Sequence, residues 1–213
     1  MVKGAATASM LAGTAGYVNA VAYLGLHAFV APMTGTVIAT GFALSDGNWT
    51  EAGHELMVIG AFTAGVVMAR LLRRFGWGGA PGWLLSAGIL AASAFRPLEG
   101  LVSLIPIAAS IGCLNGSQTV FGPTTLNTTF ITGNLERIGE ALVDPGFQNR
   151  RKQLALIGLI LLVYMAGATA GARAVKHLAL PLLAPAGLLL AVGLAGLARQ
   201  AAQSAARPPE DAV

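Results

Sequence analysis

Residues 30–41 read "VAPMTGTVIATG", and residues 128–139, in the second half of the chain, read "TTFITGNLERIG". Each stretch has an apolar residue, then Thr-Gly, then a helix-like run too short to cross a membrane. What flanks these two pieces decides the fold. Apolar segments fall at about 5–26, 54–73, 82–96, 100–121, 153–173 and 180–199. Most have the roughly 20 residues that a membrane-spanning helix needs, whereas 82–96 is short and must borrow from its flanks. The two short pieces, at about 33–45 and 132–143, lie between the first and second and between the fourth and fifth of these segments.

The composition agrees. The chain is 55% hydrophobic and 10% charged, with a mean hydropathy of +0.69, whereas a soluble domain carries about 25% charged residues. An all-α polytopic membrane protein is the expectation. Trp49, Trp77 and Trp83 stand at or near segment ends, where interfacial aromatics belong. The net charge is +4, but the basic residues sit in short clusters between apolar segments and form no basic face. Nucleic acid is therefore not an expected partner; the lipid bilayer is.

The two halves can be laid over each other. "GYVNAVA" (16–22) matches "GCLNGSQ" (112–118) and places Asn19 on Asn115. "PMTGT" matches "FITGN" and places Thr34 on Thr132, Gly35 on Gly133 and Thr36 on Asn134. "IGAFTAG" (59–65) meets "IGLILLVYMAG" (157–167) with a shift of a few residues. The chain then reads as one membrane domain of two repeats, about 5–98 and 100–199, with a polar tail over 200–213. "GYVNAVA" has the look of a signal-peptide end behind Lys3. Because the segment is half of a repeat, cleavage there is not expected.

Charge tests the topology. If the short pieces do not cross, there are six spans with both termini in the cytoplasm. The inside then holds Lys3, Arg70, Arg73, Arg74, Arg137, Arg150, Arg151, Lys152, Arg199 and Arg207, and the outside only Arg96, Arg173 and Lys176. If both pieces cross, Arg70, Arg73 and Arg74 move outside and the asymmetry shrinks. The positive-inside rule prefers six spans plus two half-helices. Three spans per repeat is an odd number, so the second repeat is expected to be inverted, as in many transporters.

Half-helices that stop inside a bilayer leave backbone N–H groups unpaired at their starts. Thr34-Gly35 and Thr132-Gly133 stand there: threonine to cap the first turn, glycine to let backbone or ligand approach. Under inverted symmetry the two starts point toward each other near the midplane, and their dipoles suit an anion or a polar oxygen. The candidate substrate-binding residues are Asn19, Thr34, Gly35, Thr36, Asn115, Gln118, Thr132, Gly133 and Asn134. Glu136, one turn beyond Thr132, is a candidate for proton or cation coupling if it is buried. On an interfacial helix it would be a solvated carboxylate beside Arg137 and Glu140. The small-residue faces "AFTAGVVMA" (61–69) and "AGATAGA" (166–172) permit close helix packing, either between the halves or across a homodimer.

Catalysis and cofactors find no support. The lone Cys113 makes neither a disulfide within the chain nor a Cys-based metal site, and His27, His54 and His177 are scattered. No phosphate-loop, dinucleotide, nucleophile-elbow or zinc-protease pattern occurs. The expectation is no enzyme, no metal and no cofactor.

With "AGYVNAVAYLGL" and "MTGTVIATG" in the first half, and "GCLNGSQTVFG" and "TTFITGNLERIGEAL" in the second, the chain resembles the bacterial YoaK family (DUF1275) over nearly its full length. The resemblance implies a six-span inner-membrane protein and supplies no substrate. The family's first helix often carries Asp where Asn19 stands, and its first short piece often reads Met-Thr-Gly-Asn where Thr36 stands. Without that carboxylate the middle of the protein is less negative, which favours an anionic ligand. The expected function is secondary transport of a small anion or polar metabolite between the half-helix starts. The alternatives are a passive channel on the same path and a non-transporting membrane scaffold.

Overall fold

The computed structural model describes residues 2–117, 131–143 and 150–205. Among them all regular structure is helical: α1 (Val2–Leu26), α2 (Met33–Ser45), α3 (Trp49–Leu72), a π-helical turn (Arg73–Trp77), α4 (Ala80–Ala94), α5 (Gly100–Gly116), α6 (Ile131–Val143), α7 (Arg150–His177) and α8 (Leu183–Ala205). Three stretches, Trp49–Phe75, Arg150–His177 and Leu183–Ala202, are long and apolar enough to cross a membrane. Met33–Ser45, Ala80–Ala94 and Gly100–Gly116 are shorter apolar helices.

Local chemistry sets the breaks. α1 stops at His27, which adopts a left-handed φ of 53° and donates its N–H to the Tyr23 carbonyl at 3.0 Å; this is a helix stop usually given to glycine. Between α2 and α3, Gly47 takes a φ of 69°, and the Asn48 side chain accepts the Glu51 N–H at 3.1 Å as an N-cap. Glu51 in that first turn faces His54 at 4.0 Å, on an exposed surface.

Helices α1 and α5 are the inner ones. Leu11, Ala15, Val18, Val21 and Ala22 of α1 are fully buried, as are Ile107, Ala108, Ile111 and Leu114 of α5. α1, although 25 residues long, turns much of one face to protein rather than to lipid. The outer helices turn large apolar residues outward, among them Leu56, Met57 and Val67 of α3, Leu159, Leu162 and Met165 of α7, and Leu190 and Leu194 of α8. These are surfaces for lipid.

The packing keeps its form when the halves are exchanged. α1 packs on α7 as α5 packs on α3; α1 meets α8 as α5 meets α4; α2 lies on α3 as α6 lies on α7. The pairs α4 with α8 and α1 with α5 join equivalent helices. α3 also touches α4, and this contact has no comparable α7–α8 counterpart.

The two main crossings correspond position by position. In one, a Cβ on Gly16 would overlap the Tyr164 carbonyl, and a Cβ on Gly167 would overlap the Gly13 carbonyl. In the other, Gly112 stands against the Phe62 carbonyl and Gly65 against the Ala109 carbonyl. The "AFTAG" and "AGATAG" faces thus join a helix of one half to a helix of the other. Such close approach requires glycine.

Adding side chains at these points overfills the crossing, which costs about 1–3 kcal/mol or more. Gly16→Val and Gly112→Val should each lower the midpoint of thermal unfolding in detergent. Gly60→Ala, where an added Cβ meets nothing within 4 Å, should be neutral or stabilising by up to about 1 kcal/mol. Equal tolerance at the three positions would contradict the packing described.

Candidate functional site

The entry to α2 is stitched to α1. The Asn19 side-chain oxygen accepts the N–H groups of Val30 and Ala31, both at 3.3 Å, and both of those residues are fully buried. Buried backbone donors need such partners. The Asn19 side chain also lies near Tyr164 of α7, so one carboxamide stands where α1, the approach to α2 and a helix of the second half meet. Thr36, buried one turn into α2, donates its hydroxyl to the Phe29 carbonyl at 3.3 Å, and Thr40 donates to the Thr36 carbonyl at 2.9 Å.

Thr34 does not cap α2. Pro32 occupies the N-cap position with no side-chain cap bond, and Thr34 is the second helical residue, with its side chain exposed. Two first-turn donors are already engaged: the Met33 N–H with the Ala31 carbonyl at 3.0 Å, and the Gly35 N–H with the Pro32 carbonyl at 2.9 Å. Gly35 is glycine for a reason internal to the chain. An added Cβ would stand 3.2 Å from the Phe29 ring, which itself stacks on Tyr23 with ring centroids 4.6 Å apart.

α6 repeats part of this pattern. Its described residues, Ile131–Val143, align with Met33–Ser45 of α2. Thr132 and Gly133 are its second and third residues, as Thr34 and Gly35 are of α2. Thr132 is exposed like Thr34, and Asn134 is fully buried like Thr36. At Gly133 an added Cβ meets nothing within 4 Å among the described residues, unlike at Gly35. α6 is also amphipathic where α2 is uncharged: Glu136 and Glu140 are exposed, so Glu136 is not a carboxylate enclosed by the described part of the protein.

Asn115 lies partly buried near the end of α5, and the next turn is closed by Ser117, which donates to the Cys113 carbonyl at 2.7 Å. Gln118 lies outside the described residues, as do Thr119, Thr125, Asn127, Thr128 and Thr129 and the 206–213 part of the tail. The structure therefore brings together Asn19, Gly35 and Thr36 around the start of α2. No packing pair joins α2 to α6 among the described helices. Sequence reasoning missed Phe29 and Tyr164; the first sits in an unpatterned loop, and only its contact with Gly35 marks it. Among the described residues no cluster of three potential metal ligands occurs.

Removing the Asn19 carboxamide exposes its role. Asn19→Leu leaves two buried N–H groups without their acceptor, at about 1–3 kcal/mol each. Amide hydrogen exchange over residues 28–33 should accelerate at least tenfold, while α4 exchanges as before. Unchanged exchange at 28–33 would show that the carboxamide does not hold the entry to α2.

A family profile described as "Protein of unknown function (DUF1275)" matches residues 7–195. The UPF0700 transmembrane protein YoaK of Bacillus subtilis (strain 168) is 28% identical over 179 residues, covering 75% of this chain and 79% of the relative. No solved structure matches. With a family match over most of its length, a transmembrane relative and helices able to span a bilayer, the chain is an all-helical membrane protein and belongs to the DUF1275 family.

Proposed function

We propose that the protein is a secondary transporter for a small anion or polar metabolite, with six spans in two inverted repeats. It would lie in the bacterial inner membrane with both termini in the cytoplasm. The observation that supports this reading is the matched packing of the two halves: α2 lies on α3 as α6 lies on α7, and the halves are joined through two matched glycine crossings. A protein built this way has two arrangements of equal kind, one for each side of the membrane, reached by rocking one half on the other. The substrate would contact the exposed hydroxyls of Thr34 and Thr132, with Asn19, Thr36, Asn115 and Asn134 holding the backbone around it. Gln118 remains a candidate from the sequence match of the two halves. Glu136 is exposed, so coupling through it would need the carboxylate to be covered in another state.

A second reading, a scaffold whose short helices are packing elements, is favoured by one observation. The start of α2 has two donors already engaged and a phenyl ring seated on its glycine. The channel alternative gains no observation of its own.

Gly133 separates these readings, because an added Cβ there meets nothing within 4 Å among the described residues. In proteoliposomes tested with a panel of small anions and polar solutes, wild type should take up one of them and exchange it across the membrane. Gly133→Leu should fold normally and lose at least tenfold of that flux. A panel that yields no flux, with the variant indistinguishable from wild type, would overturn transport in favour of the scaffold.

A further inference from the structure

A groove of about 630 Å³ opens on the outer side of α7, near its C-terminal end, and Tyr17 of α1 and the start of α8 close it. Its floor is unusually smooth: Ala166, Ala170 and Ala174 follow one another at one-turn spacing along α7. At its mouth stand Arg173 and His177, both exposed and one turn apart. No acidic side chain lines the groove, and Arg173 has no ion-pair partner among the described residues. Tyr17 fixes the wall by donating its hydroxyl to the Pro181 carbonyl at 2.8 Å.

The depth of the groove in the membrane follows from α7 itself. The cluster Arg150, Arg151 and Lys152 marks one end. From Lys152 to Arg173 the helix rises about 31 Å, the thickness of a hydrocarbon core of about 30 Å. Arg173 and His177 therefore stand at headgroup level on the far side, and the alanine floor runs from there into the acyl region. The matched helix of the first half has nothing similar. Where α7 carries Ala170, Arg173 and His177, α3 and its π-helical turn carry Met68, Leu71 and Phe75. The repeat does not demand this groove, and an ordinary lipid-facing surface would fill it with large side chains.

We propose that the groove binds one phospholipid with an anionic headgroup: an acyl chain on the alanine floor, the phosphate against Arg173 and His177. Charge selects this occupant over a second copy of the chain. A two-fold dimer through the same face would bring Arg173 and His177 of one copy toward those of the other, with no carboxylate in the groove to separate them. The guanidinium prefers a phosphate and pairs with it through two donors.

The test is lipid titration of the purified protein in neutral detergent, read by native mass spectrometry with dioleoyl phosphatidylglycerol, dioleoyl phosphatidylcholine and inorganic phosphate as probes. Wild type should bind the anionic lipid at least fivefold more tightly than the zwitterionic one, the effect of about one interfacial cation. Arg173→Gln should erase that preference while keeping the melting temperature in detergent, and Ala170→Trp should fill the groove and remove the bound lipid. Equal affinity for the two lipids, or a preference that survives Arg173→Gln, would overturn the proposal. So would inorganic phosphate displacing the lipid at comparable concentration, which would mark a free-anion site. A dimer mass that Ala170→Trp converts to monomer would overturn it too, because a second copy would then cover the face.

Discussion

Everything in this fold depends on backbone touching backbone at glycines: Gly16, Gly167 and Gly171 where α1 meets α7, and Gly65, Gly112 and Gly116 where α3 meets α5. In lipid, apolar surfaces gain nothing by leaving one solvent for another of equal polarity, so helices associate through dispersion contacts and close fit. Gly16 and Gly167 let α1 and α7 approach until carbonyls meet Cα atoms, and Gly65 and Gly112 do the same for α3 and α5. Each crossing joins one half of the chain to the other. The polar entry to α2 depends on the first of them, because Asn19 lies one turn beyond Gly16 and near Tyr164 across the same crossing.

A membrane interior tolerates non-helical backbone only where protein or a cavity satisfies it. The backbone of residues 27–32, between α1 and α2, has its polar groups satisfied by protein in the same way. The turn is made by a histidine in a left-handed conformation, the buried donors of Val30 and Ala31 go to Asn19, and the Phe29 carbonyl receives Thr36. The Asn19 carboxamide serves both as a candidate ligand group and as the clamp of the segment that presents the short helix. An aspartate there would accept the same two N–H groups more strongly but could not donate to a neighbour.

The periodicity of the chain exposed the elements well. The first short piece, expected at about 33–45, is Met33–Ser45, because Pro32 and the Asp46-Gly47 turn punctuate it; across the second, expected at about 132–143, the described residues Ile131–Val143 are helical throughout. α7 runs from Arg150 to His177 where apolarity alone suggested 153–173: its ends are cationic, and long basic side chains can reach headgroups from within a helix. The small-residue faces were legible, but their partner was not, since the same spacing serves a contact within the chain or between chains. The site was legible only as residue types. That Gly35 answers to Phe29, or that Thr34 stands out from the helix with no capping bond, depends on a loop path that no local pattern records.

The central claim is that the two halves are equivalent and oppositely oriented in the membrane. The exchange of packing partners supports the first part of this proposal, and the charge distribution along the sequence supports the second. Ser45, the exposed last residue of α2, and Val143, exposed on α6, report on orientation directly, because Cys113 is the sole cysteine of the chain. In a Cys113→Ala background, Ser45→Cys and Val143→Cys would be treated in sealed right-side-out vesicles with a membrane-impermeant maleimide. The account predicts that Ser45→Cys is labelled from outside and that Val143→Cys is labelled only after the vesicles are opened. Labelling of both positions from the same side would contradict it.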